Sequence, residues 1–173
     1  KEIEKSGRKI VDSTEIDRTI IETNVIGFLN VISGVEPGKR QRRRGKIAVI
    51  GSLASSFNCG SYSASKAAIE ILGRSMRSRL HSFGISVVVV EPGFVDTPMV
   101  QILDSKSWIP FVMTAESAAQ KAIDGIDHSE DVPVVKFPII ISTISKSIRF
   151  IPTEIFHLFS DPIGKWFPIF FGG

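Results

Sequence analysis

The amino-acid sequence predicts an α/β fold with a parallel sheet, and three observations predict it. Residues Ile85 to Val90 are β-branched almost throughout and do not alternate, the pattern of a strand covered on both faces rather than one. A second apolar stretch, Lys46-Ile47-Ala48-Val49-Ile50-Gly51, stands between two long segments of helical periodicity. Strand-like and helix-like segments then alternate to the end of a third strand near Phe137, the order that builds parallel sheets.

Each element has its own justification. Thr14 followed by Asp17 marks a helix N-terminus. Ile16, Ile20, Ile21, Val25, Phe28, Leu29 and Ile32 then recur at helical spacing, and Pro37-Gly38 is expected to stop that helix. After the strand at 46–51 comes a loop rich in Ser, Asn and Gly. A second long helix starts at about Tyr62, with Ala68, Leu72, Met76, Leu80 and Phe83 as its expected buried stripe and Gly84 in the C-cap place. Thr114 caps a helix carrying Ala118, Ala119, Ala122, Ile123 and Ile126. Val132 to Phe137 reads as the last strand, and Pro133 places it at an edge.

A chain of 173 residues fits one domain and buries a sizeable core. Its 43% hydrophobic content argues against disorder. With Cys59 as its one cysteine, no disulfide forms within the chain, and a reducing compartment is the simplest reading. No charged-then-apolar leader stands at Lys1. The net charge of +3 gathers in Lys39-Arg40-Gln41-Arg42-Arg43-Arg44-Gly45-Lys46. Without interleaved aromatic residues this run lacks base-stacking platforms, so it is expected to be a solvated turn rather than a nucleic-acid site. His81, His128 and His157 are scattered, and no metal-ligand spacing is present. Gly51-Ser52-Leu53-Ala54 fails the nucleophile elbow of serine hydrolases at its second glycine.

From Pro138 to Gly173 the sequence is rich in Ile and Phe but broken by prolines and polar residues before any long apolar run accumulates. Ile140, Ile144 and Ile148 share a helical face. Core or subunit packing, peripheral membrane attachment and a substrate lid all remain open for this tail. The expected division is 1–138 as the folded portion and 139–173 as an apolar extension.

The chemistry-bearing feature is Tyr62-Ser63-Ala64-Ser65-Lys66, which includes the chain's one tyrosine. A four-residue spacing puts phenol and ammonium on one helix face, a turn apart. A nearby positive charge favours the phenolate and brings a group of pKa about 10 closer to working pH. A serine held opposite, such as Ser52, then polarises the same substrate oxygen.

This constellation resembles the short-chain dehydrogenase/reductase family. Glu22-Thr23-Asn24-Val25-Ile26-Gly27 is similar to the family's Asn-bearing helix, and Val87 to Thr97, with Glu91-Pro92-Gly93-Phe94-Val95-Asp96-Thr97, resembles its strand followed by Pro-Gly-x-Val-x-Thr. The segments stand in the family's order across roughly residues 12 to 138. The resemblance implies the last strands and helices of a Rossmann-like, doubly wound parallel sheet. It also implies NAD(P)-dependent carbonyl–alcohol interconversion, with Tyr62 as acid and base. Lys66 lowers the phenol pKa and holds the nicotinamide ribose, Ser52 bonds the substrate oxygen, and Asn24 anchors a water for proton relay. Pro92, Gly93, Val95 and Thr97 line the nicotinamide.

The sequence departs from the family's pattern in two places. It contains no glycine-rich Gly-x-x-x-Gly-x-Gly or Gly-x-Gly-x-x-Gly turn for the pyrophosphate, so it reads as the C-terminal, catalytic portion of such an enzyme. The choice between NAD and NADP is therefore not legible. The interval from Ser52 to Tyr62 is ten residues, shorter than usual in the family. Either the loop is shortened, or Ser55 or Ser56 swings into the role of Ser52.

The expected partners are a small, apolar substrate, touching Trp108, Ile109, Phe111 and Val112, and further copies of the chain through the two long helices. The expected location is cytoplasmic, with peripheral membrane contact through the tail as the alternative. A rival reading is a catalytically inactive remnant serving as a dimerisation or interaction module.

Overall fold

The structure is a computed structural model that describes residues 13–56, 60–101, 111–128 and 133–148, with Ser13 and residues 144–148 as backbone alone. Three parallel strands lie in the order β1 (Gly45–Ile50), β2 (Ile85–Pro92) and β3 (Val134–Phe137). Register pairs Ile50 with Val90 and Pro92 with Phe137, so the C-terminal ends of the strands come together. Helices cover both faces, as the apolar run Val87–Val90 within β2 requires.

On one face, α2 (Gly27–Arg42) and α3 (Gly60–His81) pack on the sheet through Ile32, Ile69, Met76 and Leu80 against Ile47, Val49, Ile85, Val87 and Val89. On the other, α5 (Ala115–Asp127) sets Ala118, Ala122 and Ile126 with Val90, Val135 and Phe137. Each fully buried Val or Ile contributes about 1.5–3 kcal/mol relative to exposure, and Val87, Val88, Val89 and Val90 are all at 1% exposure or less. β2 is thus the centre of the core. β1 is less covered: Ala48 is exposed and Ile50 is 55% exposed.

Thr114 caps α5 as expected, accepting the Ser117 amide at 3.2 Å. Gly84, with φ of +66°, closes the turn after α3, and a Cβ there would stand 2.5 Å from the Arg43 carbonyl. That contact explains a glycine better than helix capping alone.

Two expectations fail. The first helical segment, begun by α1 (Ser13–Ile21), does not stop at Pro37-Gly38; α2 continues through Pro37 to Arg42 and ends on Arg43 in a left-handed conformation. One local pair and two contacts distant in sequence hold that last turn. Arg40 pairs with Glu36 one turn away at 2.8 Å and lies 4.4 Å over the Phe83 ring, and Arg43 donates to the Ser82 carbonyl. Lys46 donates to the carbonyls of Ile126 and Asp127. Arg40, Arg43 and Lys46 of the basic run thus make contacts within the fold, while Arg42, Arg43, Arg44 and Lys46 stay exposed to solvent.

The buried stripe of α3 is also shifted, running through Ile69, Gly73, Met76 and Leu80. A Cβ at Gly73 would stand 2.7 Å from Val89 Cγ2, and this close approach rotates the helix onto the side containing Ile69.

Beyond β3, α6 (Ile139–Ile148) begins the apolar tail, with Ile141 and Ser142 buried and Ile139 and Ile140 exposed. The rest of the tail lies outside the described residues, as do Trp108 and Ile109. Among the described residues no helix is long and apolar enough to cross a membrane.

Candidate active site

The site is built at the C-terminal ends of β1 and β2, where α3 begins. After β1, Gly51 donates its amide to Val90 O at 2.8 Å, keeping the chain on the sheet for one more residue. The backbone then tightens into a 3₁₀ turn, Leu53–Ser56. Ser52 starts it: its Oγ accepts the Ala54 amide at 3.1 Å and its carbonyl accepts the Ser55 amide at 3.1 Å. Local bonds of this kind make serine a turn former.

Tyr62 and Lys66 follow on the first turns of α3. The Ser52 hydroxyl stands close enough to the Tyr62 phenol to lower its pKa. Ser55 is buried and donates instead to Glu70 Oε2 at 3.0 Å. The Lys66 ammonium lies 5.7 Å from the centre of the Tyr62 ring and donates to Ile50 O at 3.4 Å. Burial raises the phenol above its usual pKa, and the Ser52 hydrogen bond pulls it partly back. Burial alone lowers the Lys66 ammonium. In the chain by itself the phenol is thus raised, not lowered.

Asn24 arrives from a different element. A π-helical turn, Glu22–Ile26, interrupts the run from α1 to α2, and such turns often mark functional positions. From it Asn24 Nδ2 donates to Ser65 Oγ at 3.0 Å, and Ser65 Oγ donates to the Tyr62 carbonyl at 2.7 Å. Asn24 is therefore tied to the backbone that carries the phenol.

The Pro92-Gly93 turn is held by Gly93 N donating to Phe137 O at 2.7 Å. A parallel bridge between Val95 and Met113 fixes the following residues, and Thr97 Oγ1 donates to Val95 O at 3.2 Å. This segment leaves the end of β2 beside the end of β3.

Near the site, Glu91 is completely buried with an ion pair to Lys136; the sequence signal is a carboxylate near the end of a mostly apolar strand.

Helices on both faces of a parallel sheet, with a serine, a tyrosine and a lysine gathered beyond the strand ends, define an α/β protein of doubly wound architecture. Comparison with known proteins narrows the class. A family model described as short chain dehydrogenase matches residues 4–108, and the chain belongs to that family. An uncharacterized oxidoreductase of Myxococcus xanthus is 30% identical over 142 residues, which cover 80% of this chain and 54% of that protein. The 3-oxoacyl-[acyl-carrier-protein] reductase FabG of Escherichia coli is 34% identical over 87 residues, covering 49% of this chain and 36% of FabG. A short chain dehydrogenase from Burkholderia cenocepacia, solved in complex with NADP, superposes with a TM-score of 0.66 at 21% identity, over 86% of this chain and 60% of that one. The chain thus spans about half or less of these curated relatives' own length.

Proposed function

We propose that this chain carries the proton-transfer half of an NAD(P)-dependent oxidoreductase that interconverts carbonyl and alcohol groups. The observation that carries the reading is the gathering of three side chains at the strand ends: the Lys66 ammonium lies 5.7 Å from the Tyr62 ring centre, and the Ser52 hydroxyl stands close enough to lower the phenol's pKa. Two hydroxyls converging on one point suit an oxygen that alternates between carbonyl and alcohol.

The donor set fits a nicotinamide nucleotide at this end of the sheet. An ammonium has three donors, and Lys66 directs one long bond at Ile50 O, which leaves capacity for the ribose hydroxyls. Pro92, Gly93, Val95 and Thr97 would flank the nicotinamide ring. The bound coenzyme would supply or accept the hydride. In reduction, the Tyr62 phenol gives its proton to the substrate oxygen while Ser52 donates a hydrogen bond to that oxygen. Lys66 stabilises the phenolate left behind, and Asn24 holds the Tyr62 backbone through Ser65. Oxidation runs the same proton in reverse, with Tyr62 as base.

Met99, Phe111 and Val112 are exposed apolar side chains on segments that follow or bridge the Pro92-to-Thr97 stretch, which supports an apolar substrate. Ile16, Ile21, Leu29, Val31 and Val35 are exposed on the first long helical segment, α1 and α2, and Ile71 is exposed on the second, α3, which supports self-association through these two segments. Residues 1–138 form the catalytic portion in this reading, with the extension from 139 packing its first turn against the Leu53–Ser56 turn and β3. A second reading, a non-catalytic interaction module, is favoured by the exposed apolar side chains of Ile16, Leu29, Val31 and Val35.

Fluorescence titration with NADH and NADPH, on the chain and on Lys66→Ala, separates the two. Saturable binding weakened by the substitution supports the enzyme reading; no binding up to millimolar coenzyme supports the module.

A further inference from the structure

We propose that Glu70, Lys136 and Glu91 form a buried positioning cluster that grips both ends of the turn carrying Ser52 and so holds its hydroxyl on Tyr62. The proposal rests on the reading of Ser52 and Tyr62 given above, and adds three residues that the proton transfer does not itself use.

The cluster joins four elements. Glu70 on α3 is 5% exposed; its Oε2 accepts the Ser55 hydroxyl at 3.0 Å, and its Oε1 pairs with Arg74 at 2.7 Å. Lys136 Nζ on β3 lies 3.7 Å from that Oε1 and also pairs with Glu91 Oε2. Glu91 on β2 is wholly buried, and its Oε1 has no hydrogen-bond partner. A Cβ at Gly51 would stand 3.1 Å from Glu91 Cγ. Glu91 therefore packs against the residue before Ser52, and Glu70 bonds the residue three after it. Lys136 links the two carboxylates.

Chemistry argues that this arrangement serves more than stability. A buried ion pair is often no more stabilising than apolar residues of the same volume, because desolvation offsets the attraction. Burial holds the Glu91 carboxyl above its usual pKa despite Lys136, with Glu70 adding to the rise and Arg74 opposing it. Directional bonds do what apolar packing does not: they fix the rotation of a turn. Tyr62, Lys66, Glu70 and Arg74 also recur every fourth residue on α3, so one row of the helix runs from the phenol to the cluster.

Because Tyr62 is the one tyrosine, phenolate absorbance reports it alone. The test is an absorbance titration of the whole chain, without coenzyme or substrate, beside circular dichroism of each variant. Ser52→Ala removes the bond that pulls the phenol down and sets the full upward shift. Ser55→Ala and Glu70→Ala are expected to give at least half of that shift, and Glu70→Gln, which still accepts from Ser55, to keep the parent value. If Ser52→Ala shifts the phenol while folded Ser55→Ala does not, the cluster proposal is overturned and the reading of Ser52 stands. If Ser52→Ala itself leaves the titration unmoved, both fail. Should Glu70→Ala not fold, Ser55→Ala decides alone.

Discussion

Asn24 and Ser65, 41 residues apart in sequence, are joined by a 3.0 Å hydrogen bond, and the same Ser65 hydroxyl donates to the Tyr62 carbonyl. Two helices are thereby coupled behind the phenol. Asn24→Ala leaves buried Ser65 without this donor and is expected to cost about 1 kcal/mol. For a chain of this length that is a fall of roughly 2–4 °C in Tm. Thermal unfolding followed by circular dichroism checks it; an unchanged Tm contradicts the coupling.

The turn after α3 makes a sharper demand. At Gly84 an added methyl meets the Arg43 carbonyl at 2.5 Å on a backbone already at φ +66°. Gly84→Ala is expected to destabilise by more than about 1 kcal/mol, since neither the clash nor the strain relaxes cheaply. Urea unfolding at equilibrium measures the loss, and a stability equal to the parent's would mean the turn is not held as described.

Glu91 gives a pH dependence of defined sign. Its folded pKa is raised, so its contribution to stability is fully present below the ordinary glutamate value of about 4.3 and is lost as pH rises through the higher folded value. Glu91→Gln removes that titration. The difference in stability between variant and parent should therefore shift in the variant's favour as pH rises from about 4.3. A difference independent of pH across the acid range contradicts a raised Glu91.

Self-association is tested at the exposed faces. Val31 on α2 is 63% exposed, and Ile50 on β1 is 55% exposed. If α1 and α2 join copies of the chain, Val31→Glu dissociates them in sedimentation velocity while Ile50→Glu does not. The reverse result moves the interface to the edge of the sheet.

How much was legible depended on whether the cause was local. The β-branched run at Ile85–Val90 and the cap at Thr114 announce themselves because sheet burial and capping act within a few residues. Tyr62 and Lys66 stand on one helix, as their spacing indicates. The continuation of α2 past Pro37 was hidden because Phe83 and Ser82 hold its end from across the fold. The π-helical turn at Asn24 leaves no compositional mark, and the partners of Glu91 lie on other elements. The choice among Ser52, Ser55 and Ser56 was not legible because it depends on partners from other elements: the Ser55 hydroxyl donates to Glu70 on α3, and Ser52 stands close enough to Tyr62 to lower the phenol's pKa.

The central claim is that the Tyr62 hydroxyl transfers the proton, and one substitution removes that hydroxyl alone. Turnover of NADH or NADPH should be followed with a panel of apolar ketones and aldehydes, for the parent and Tyr62→Phe, with coenzyme binding measured in parallel. The account predicts a loss of about 10²–10⁴-fold in turnover, the usual worth of a positioned acid, with coenzyme binding and fold retained. Turnover within a few-fold of the parent would contradict it.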